Sequence, residues 1–89
     1  MLRIIRAKDI QEPERSWLLR VPYCESRWKP SERPNREGAT GLYQFLPSTF
    51  AGTPQGNGHP ERIYSAYWQT LAAHWLYNRD DGGSEWECK

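Results

Sequence analysis

The sequence predicts a small, mainly α-helical domain, and three features indicate this fold class. Its 89 residues are enough for one compact core and too few for two. Mean hydropathy is low at -0.92, yet five Trp, five Tyr and two Phe supply large side chains that can build a core from few residues. Two stretches repeat apolar residues every three to four positions, which is the period of an amphipathic helix.

The first predicted helix begins at Pro13, because proline fits the first turn of a helix. Pro22 falls within it and, lacking a backbone N–H, is expected to kink the helix or split it in two. The predicted apolar face comprises Trp17, Leu18, Val21, Cys24 and, beyond the helix, Trp28. Residues 1–12 are expected to form a loose N-terminal arm, anchored by Leu2, Ile4 and Ile5, so the predicted domain covers residues 13–89.

Two predicted loops separate this helix from a second long one. Residues 29–40 and 52–60 are polar and rich in proline and glycine, which is typical of loops. Between them, residues 41–46 predict a strand or a turn, and residues 47–50 a short helical start. The second long helix is expected within residues 60–78, with a face formed by Ile63, Ala66, Tyr67, Thr70, Leu71, His74, Trp75 and Asn78.

Composition and charge exclude several classes of function. The formal net charge of +1 gives no reason to expect a nucleic-acid partner, and the apolar runs are too short for a membrane span. The two histidines, His59 and His74, lack metal-ligand spacing, and no phosphate-binding glycine loop is present. We therefore expect neither a metal nor a cofactor.

The two cysteines, Cys24 and Cys88, leave two interpretations open. They can form a disulfide, which in so small a domain would contribute on the order of 4 kcal/mol, or they can be free thiols in a reducing cytosol. The N-terminal residues are charged throughout and contain no apolar signal-peptide core. If the protein acts outside the cell, we expect another route to deliver it.

One carboxylate is a candidate for catalysis. Glu25 lies at the predicted end of the first helix, between Tyr23 and Trp28. A carboxyl group held against aromatic surface loses hydration, so its pKa rises and it can stay protonated near neutral pH. A general acid for glycosidic cleavage needs such a proton. The alternative is an ordinary exposed glutamate on a helix surface.

Two segments and the C-terminal region resemble those of lysozyme-like lytic transglycosylases. The segments are residues 24–30, CESRWKP, and residues 41–50, GLYQFLPSTF, and the C-terminal region is similar from residue 69 to Cys88. The resemblance extends to the branch of resuscitation-promoting factors and related actinobacterial and phage wall hydrolases. It covers about residues 14–88 and implies a small lysozyme-like domain with a goose-type core, an aromatic-lined cleft and one disulfide. Arg27 and Trp28 stand where the resuscitation factors commonly have two glycines.

The resemblance also implies roles for individual residues. Glu25 matches the single catalytic acid of the family, and Cys24 and Cys88 match a pair that bridges the catalytic helix to the C-terminus. Gln44 matches a glutamine that binds sugar substituents in the cleft, Tyr43 a cleft wall beside it, and Thr49 a threonine facing the cleft. The remaining candidates for stacking on sugars are Trp28, Trp75 and Tyr77, for which core packing is the alternative.

The implied function is cleavage of the bond between N-acetylmuramic acid and N-acetylglucosamine in peptidoglycan, by a monomer acting on the cell wall outside the membrane. Glycosidases normally use two carboxylates, whereas related transglycosylases use one glutamate assisted by the N-acetyl group of the substrate. A phage origin, with virion or lysis partners, would account for the absence of an export signal. The alternatives are a non-catalytic peptidoglycan-binding or structural module of the same fold, and a free-thiol intracellular protein whose resemblance is accidental.

Overall fold

The computed structural model describes residues 2–29, 34, 38–79 and 86, and this part of the chain is mainly helical. β structure within these residues is limited to one bridge, between Thr40 and Phe45. The helices are, in order, α1 (Leu2–Ala7), α2 (Glu14–Ser26), α3 (Pro47–Ala51), a 3₁₀ helix η1 (Pro60–Tyr64) and α4 (Ala66–Arg79). The predicted mainly α fold class is therefore confirmed.

The N-terminal segment is more ordered than the loose arm that the sequence predicts. Residues 2–7 form α1, and its Ile4 and Ile5 are buried in the same core cluster as the side chains of α2 and α4. Leu2, the third predicted anchor, is instead 57% exposed. Two adjacent isoleucines are enough to fix a short helix because both reach one apolar surface. The domain boundary at residue 13 stays a prediction.

Helix α2 continues through Pro22, so the predicted split at this residue is wrong. A proline at this position leaves the carbonyl of Leu18, four residues earlier, without its usual backbone donor. The Tyr43 hydroxyl donates to that carbonyl at 2.7 Å, and both residues are fully buried. The hydrogen bond that proline removes from the helix is thus replaced by a side chain from a distant segment.

The start of α2 is held by two glutamates. The carboxylate of Glu12 accepts hydrogen bonds from the Ser16 backbone N–H at 2.8 Å and the Ser16 hydroxyl at 2.7 Å. These bonds stabilise the charged form and lower the pKa of Glu12. Glu14 is buried, and its carboxylate contacts Nδ1 of His74 and accepts a hydrogen bond from the Asn78 amide at 3.2 Å. The start of α2 is therefore joined to the end of α4 by polar side chains.

Aromatic side chains form the centre of the core, as the composition predicts. Trp86 is buried, and its ring lies 5.2 Å, centroid to centroid, from both Trp17 and Phe45. Its indole N–H donates to the Tyr43 carbonyl at 2.7 Å. Phe45 in turn meets Phe50 of α3 edge to face. These contacts gather α2, α3 and the segment between them around one cluster.

The core-facing side of α4 differs from the predicted one. Thr70 lies on it as expected, but Tyr67 is 53% exposed and Asn78 is also exposed, and Leu71, His74 and Trp75 are only partly buried. The buried face consists of Gln69, Thr70, Ala72, Ala73 and Leu76. Small side chains let α4 approach its neighbours closely, while the large aromatic rings lie along its flanks. Apolar spacing alone does not distinguish these two arrangements.

The remaining predicted segments behave largely as expected. Residues 47–51 form α3, and residues 52–59 form a succession of turns. Gly56 is required there, because a Cβ at this position would lie 2.2 Å from the Phe50 carbonyl oxygen. Most of the predicted loop over residues 29–40 lies outside the described residues. In the described part of the chain, no helix has the length and apolar character needed to cross a membrane.

Candidate functional site

Glu25 lies in the last turn of α2, on the face that the helix turns toward the core. The spacing from Leu18 and Val21, which are both fully buried, places Glu25 on the same side of the helix. Glu25 itself is only partly buried, because it lies one turn beyond Val21, near the end of the helix. A carboxyl group in this position is held by a rigid helix and still has access to solvent.

A tight turn over residues 40–45 packs against this end of α2. The Thr40 N–H donates to the Phe45 carbonyl at 2.8 Å, and the Phe45 N–H donates back at 3.0 Å, so the two residues close the turn. Ser26, the last residue of α2, is 2% exposed, and its hydroxyl donates to the Leu42 carbonyl at 2.6 Å. The residue next to Glu25 is thereby fixed to the turn.

Gln69 of α4 holds the same turn from the opposite direction. Its side-chain oxygen accepts the Tyr43 N–H at 2.7 Å, and its amide nitrogen donates to the Thr40 carbonyl at 2.8 Å and to the Ile63 carbonyl. Gln69 is fully buried, so every one of these bonds is shielded from water. Gly41, at φ +84°, is required beside it, because a Cβ there would lie 2.7 Å from the Ile63 oxygen.

Gln44 occupies the last central position of this turn, in a left-handed conformation with φ 51°. Its side-chain amide donates to the Gly41 carbonyl at 2.9 Å. Only 9% of the residue is exposed. The turn is thus stabilised by the residue that the resemblance assigns to sugar binding. Thr49 follows in α3, partly buried.

Tyr43 does not form a cleft wall, because it has no exposed surface. Its ring is buried, and its hydroxyl is bonded to the Leu18 carbonyl, as described above. Burial disfavours the charged phenolate and raises the pKa of Tyr43 well above its ordinary value. The structure gives this residue a packing role instead of the predicted contact with sugar.

The two aromatic residues that flank Glu25 in the sequence lie on another face of α2. Tyr23 is two positions earlier, which is about 200° around a helix. The Trp28 ring packs on it with centroids 4.8 Å apart, and the Trp28 indole N–H donates to the Leu19 carbonyl at 3.1 Å. The predicted aromatic surroundings of Glu25 are therefore not formed by these residues. Trp28 remains 50% exposed, and its ring lies along the side of α2 at Leu19 and Tyr23.

Trp75 and Tyr77 are separated from each other and from this site. Tyr77 packs on Trp17, with ring centroids 4.8 Å apart, so its ring contributes to the core. Trp75 lines a groove of about 490 Å³ together with Lys8, which directly follows α1, and with the 52–59 loop and other residues of α4. Glu25, Gln44 and Thr49 are not among the residues lining that groove.

Cys24 lies in α2 beside Glu25 and is not a free thiol. Cys88 lies outside the described residues, so the pairing of the two cysteines stays a prediction. Within the described residues, no group of three or more His, Cys, Asp or Glu side chains is arranged to hold a metal ion.

Two residues that position the site could not be predicted from the spacing of apolar residues. Ser26 is adjacent to Glu25, but its bond to Leu42 joins segments 16 residues apart. Gln69 bonds to backbone groups as many as 29 residues away. A signal exists for Gln69, since it shares a helix face with Ala72, Ala73 and Leu76, and a polar side chain on such a face requires buried partners.

Comparison with known proteins identifies the family of this chain. No curated protein and no solved structure shows significant similarity to the chain. The family model of the transglycosylase SLT domain, however, matches residues 3–76, which begins in α1 and extends into the last turns of α4. The match includes Glu25, the turn over residues 40–45 and α3. The chain belongs to the transglycosylase SLT domain family.

Proposed function

We propose that this domain cleaves the glycosidic bond between N-acetylmuramic acid and N-acetylglucosamine in peptidoglycan, with Glu25 as its single acid and base. Membership of the SLT family supports the reaction class and the peptidoglycan substrate. The observation that supports the assignment of Glu25 is the buried bond from the Ser26 hydroxyl to the Leu42 carbonyl. It fixes the helix end that bears Glu25 against the turn that bears Gln44.

In the proposed mechanism, Glu25 first donates its proton to the glycosidic oxygen of the leaving sugar while the bond to the muramyl C1 breaks. The N-acetyl group of the substrate stabilises the positive charge at C1, so no second carboxylate is required. Glu25, now ionised, then accepts a proton from the muramyl 6-hydroxyl as this oxygen attacks C1. The product is a 1,6-anhydro sugar, and attack by water in place of the hydroxyl would give a reducing end instead.

Other residues have supporting roles in this proposal. Gln44 and Thr49 contact sugar substituents beside Glu25, and Trp28 contacts a sugar with the exposed part of its ring. A disulfide between Cys24 and Cys88 fixes α2 to the C-terminus. The domain acts outside the cytoplasm as a monomer. It belongs, in this proposal, to the branch that includes resuscitation-promoting factors and phage wall hydrolases, and virion or lysis proteins deliver it to the wall.

The test is mass spectrometry of soluble products after purified peptidoglycan is incubated with the wild type or with Glu25→Gln. We expect anhydro-muropeptides from the wild type and a rate at least about 100-fold lower for the variant, since glutamine keeps the shape of the side chain and cannot supply a proton. Glu61→Gln is the matched control, because it makes the same chemical change on an exposed residue of η1 and should cleave normally.

Each other outcome has a defined meaning. Reducing-end products from the wild type would make the protein a muramidase with the same acid. Cleavage by Glu25→Gln at the wild-type rate would refute the assignment of Glu25. Binding of the wall with no soluble product from any variant would identify a non-catalytic peptidoglycan-binding module.

A further inference from the structure

Two exposed aromatic side chains, Tyr23 and Trp28, pack together on the outer side of α2, and we call them the outer aromatic pair. Their ring centroids lie 4.8 Å apart, and the two residues are 49% and 50% exposed. Tyr23 is about 200° around the helix from Glu25, and a helix with its side chains is about 10–12 Å across. The pair is therefore separated from the proposed catalytic residue by the width of α2.

The backbone after α2 adopts an unusual conformation that brings the Trp28 ring to this place. Arg27 and Trp28 have φ values of 54° and 61°, so two successive residues other than glycine are left-handed. This conformation is unfavourable for bulky residues and persists only where surrounding contacts hold it. Their backbone N–H groups donate to carbonyls near the end of α2 at 3.0 and 3.2 Å, and the chain turns back along the helix. An unfavourable backbone conformation thus results in an exposed aromatic ring on the surface of α2.

Further contacts hold the two exposed rings in place. The Trp28 indole N–H donates to the Leu19 carbonyl at 3.1 Å. The Arg27 guanidinium lies 4.6 Å from the centroid of the Tyr23 ring and also donates to the Tyr23 carbonyl at 3.0 Å. Side chains that are fixed before a ligand arrives lose little conformational entropy on binding. The outer aromatic pair therefore has the properties of a preorganised binding surface.

The size and chemistry of the pair favour a sugar over a protein as its ligand. An aromatic side chain buries about 150–250 Å² when fully covered, so two half-exposed ones offer roughly 150–250 Å² in total. A stable protein interface covers about 800 Å² on each partner, whereas a sugar ring is similar in size to one aromatic ring. The C–H groups on the face of a sugar ring carry partial positive charge and pack on the negative face of an aromatic ring. The Tyr23 hydroxyl adds a hydrogen-bonding group for the sugar hydroxyls.

We infer that the outer aromatic pair binds a sugar of a second glycan strand, beside the strand on which Glu25 acts. The identity of the polymer rests on the proposed function, and the separate site rests on the position of the pair across α2 from Glu25. The sugar that contacts Trp28 then belongs to this second strand. Because peptidoglycan holds many strands side by side, the domain would stay at the wall through one strand while it cleaves a neighbouring one.

Binding is measured by NMR titration of the Glu25→Gln protein, which does not consume substrate, with a β-1,4-linked tetramer of N-acetylglucosamine as the probe. We expect the Trp28 indole signal to shift, with a Kd at least tenfold weaker in Tyr23→Ala and less than threefold weaker in Tyr23→Phe, which keeps the ring. Tyr67→Ala is the matched control and should leave the Kd unchanged, because it removes a half-exposed tyrosine that also packs on a tryptophan, but in α4.

Three results of the titration would overturn the inference. The first is no shift of the Trp28 signal with the tetramer, and the second is equal weakening by Tyr23→Ala and Tyr67→Ala. The third is a Kd that weakens about tenfold between roughly 0.05 and 0.5 M salt, because packing of an uncharged sugar on aromatic rings is not screened by ions.

A kinetic measurement separates this inference from the proposed function. Tyr23→Ala should slow the release of soluble products from insoluble, cross-linked peptidoglycan at least about fivefold. It should leave unchanged the cleavage of isolated soluble strands, where no second strand is held nearby. An equal loss on both substrates, or no loss on either, would overturn a second-strand site. If the wild type cleaves neither substrate, the proposed function fails, while the titration still decides whether the outer aromatic pair binds sugar.

Discussion

The two ends of α2 are held by different chemistry. Its C-terminal end, with Glu25, is fixed by the Ser26 hydroxyl, by the turn that Gln69 binds, and by the Arg27 guanidinium, which donates to the Tyr23 carbonyl at 3.0 Å. Its N-terminal end is fixed by titratable side chains, because Glu12 binds Ser16 and Glu14 contacts His74. We therefore expect the start of α2 to respond to pH through Glu12, whose bonds to Ser16 lower its pKa, more than the end that Ser26 fixes.

The largest effect should come from Gln69→Leu, which leaves the Tyr43 N–H and the Thr40 and Ile63 carbonyls without their buried partner. We expect a loss of about 3–4 kcal/mol in the free energy of unfolding, measured by urea denaturation. Gln11→Leu, on an exposed residue before α2, is the control and should change little. A loss below about 1 kcal/mol for Gln69→Leu would show that the turn is held by other contacts.

Ser26→Ala tests the catalytic end directly. It removes the hydroxyl that donates to the Leu42 carbonyl in a buried site, so we expect a loss of about 1–3 kcal/mol in stability and slower wall cleavage. Ser16→Ala makes the same change at the other end of α2, where the hydroxyl binds Glu12. Comparable losses of cleavage in the two variants, at a temperature where both are folded, would contradict the difference between the ends.

Tyr43→Phe tests the middle of α2, where the hydroxyl replaces the bond that Pro22 removes from the helix. We expect a loss of about 1–2 kcal/mol at pH 7. Burial raises the pKa of Tyr43 above its ordinary value near 10.0. The unfolded chain therefore releases this proton first, so wild-type stability should fall as the pH rises above about 10.

The phenylalanine variant should lose less stability than the wild type between pH 9 and pH 11, a range chosen around the ordinary tyrosine pKa of about 10. Circular dichroism during thermal unfolding gives both curves. Tyr23→Phe, on an exposed tyrosine of the same helix, is the control and should follow the wild type. Identical alkaline behaviour of the Tyr43→Phe variant and the wild type would contradict the role of burial.

The smallest effect should come from Glu12→Gln at the start of α2. The pKa of Glu12 is lowered by its bonds to Ser16, so its contribution is present above the ordinary value of 4.5 and is lost as the pH falls through the lowered pKa. We expect a slightly lower Tm than that of the wild type at pH 7, and no difference at low pH. Glu61→Gln is the control, because it removes a glutamate whose pKa is also lowered but which lies in η1. This variant should leave cleavage and helix content unaltered. A Tm difference between Glu12→Gln and the wild type that persisted at low pH would count against a stabilising role for the bonds from Ser16 to the Glu12 carboxylate.

Much of the secondary structure could be predicted from the sequence alone, because it depends on neighbouring residues. Proline positions and apolar spacing located α2, α3 and α4, and the order of Glu25, Gln44 and Thr49 pointed to the family that the comparison supports. Such local signals reflect the geometry of one helix or turn and require no partner segment.

Which side chains meet was decided only by the tertiary structure. The sequence predicted Tyr43 at a cleft, whereas its hydroxyl bonds to the Leu18 carbonyl in α2. The sequence also predicted an aromatic surface around Glu25, whereas the Trp28 ring packs on Tyr23. The role of Gln69 and the groove beside Trp75 depend on segments far apart in the chain. A polar group is bonded or left unpaired according to what the fold brings within about 3 Å, and spacing along the sequence does not encode that distance.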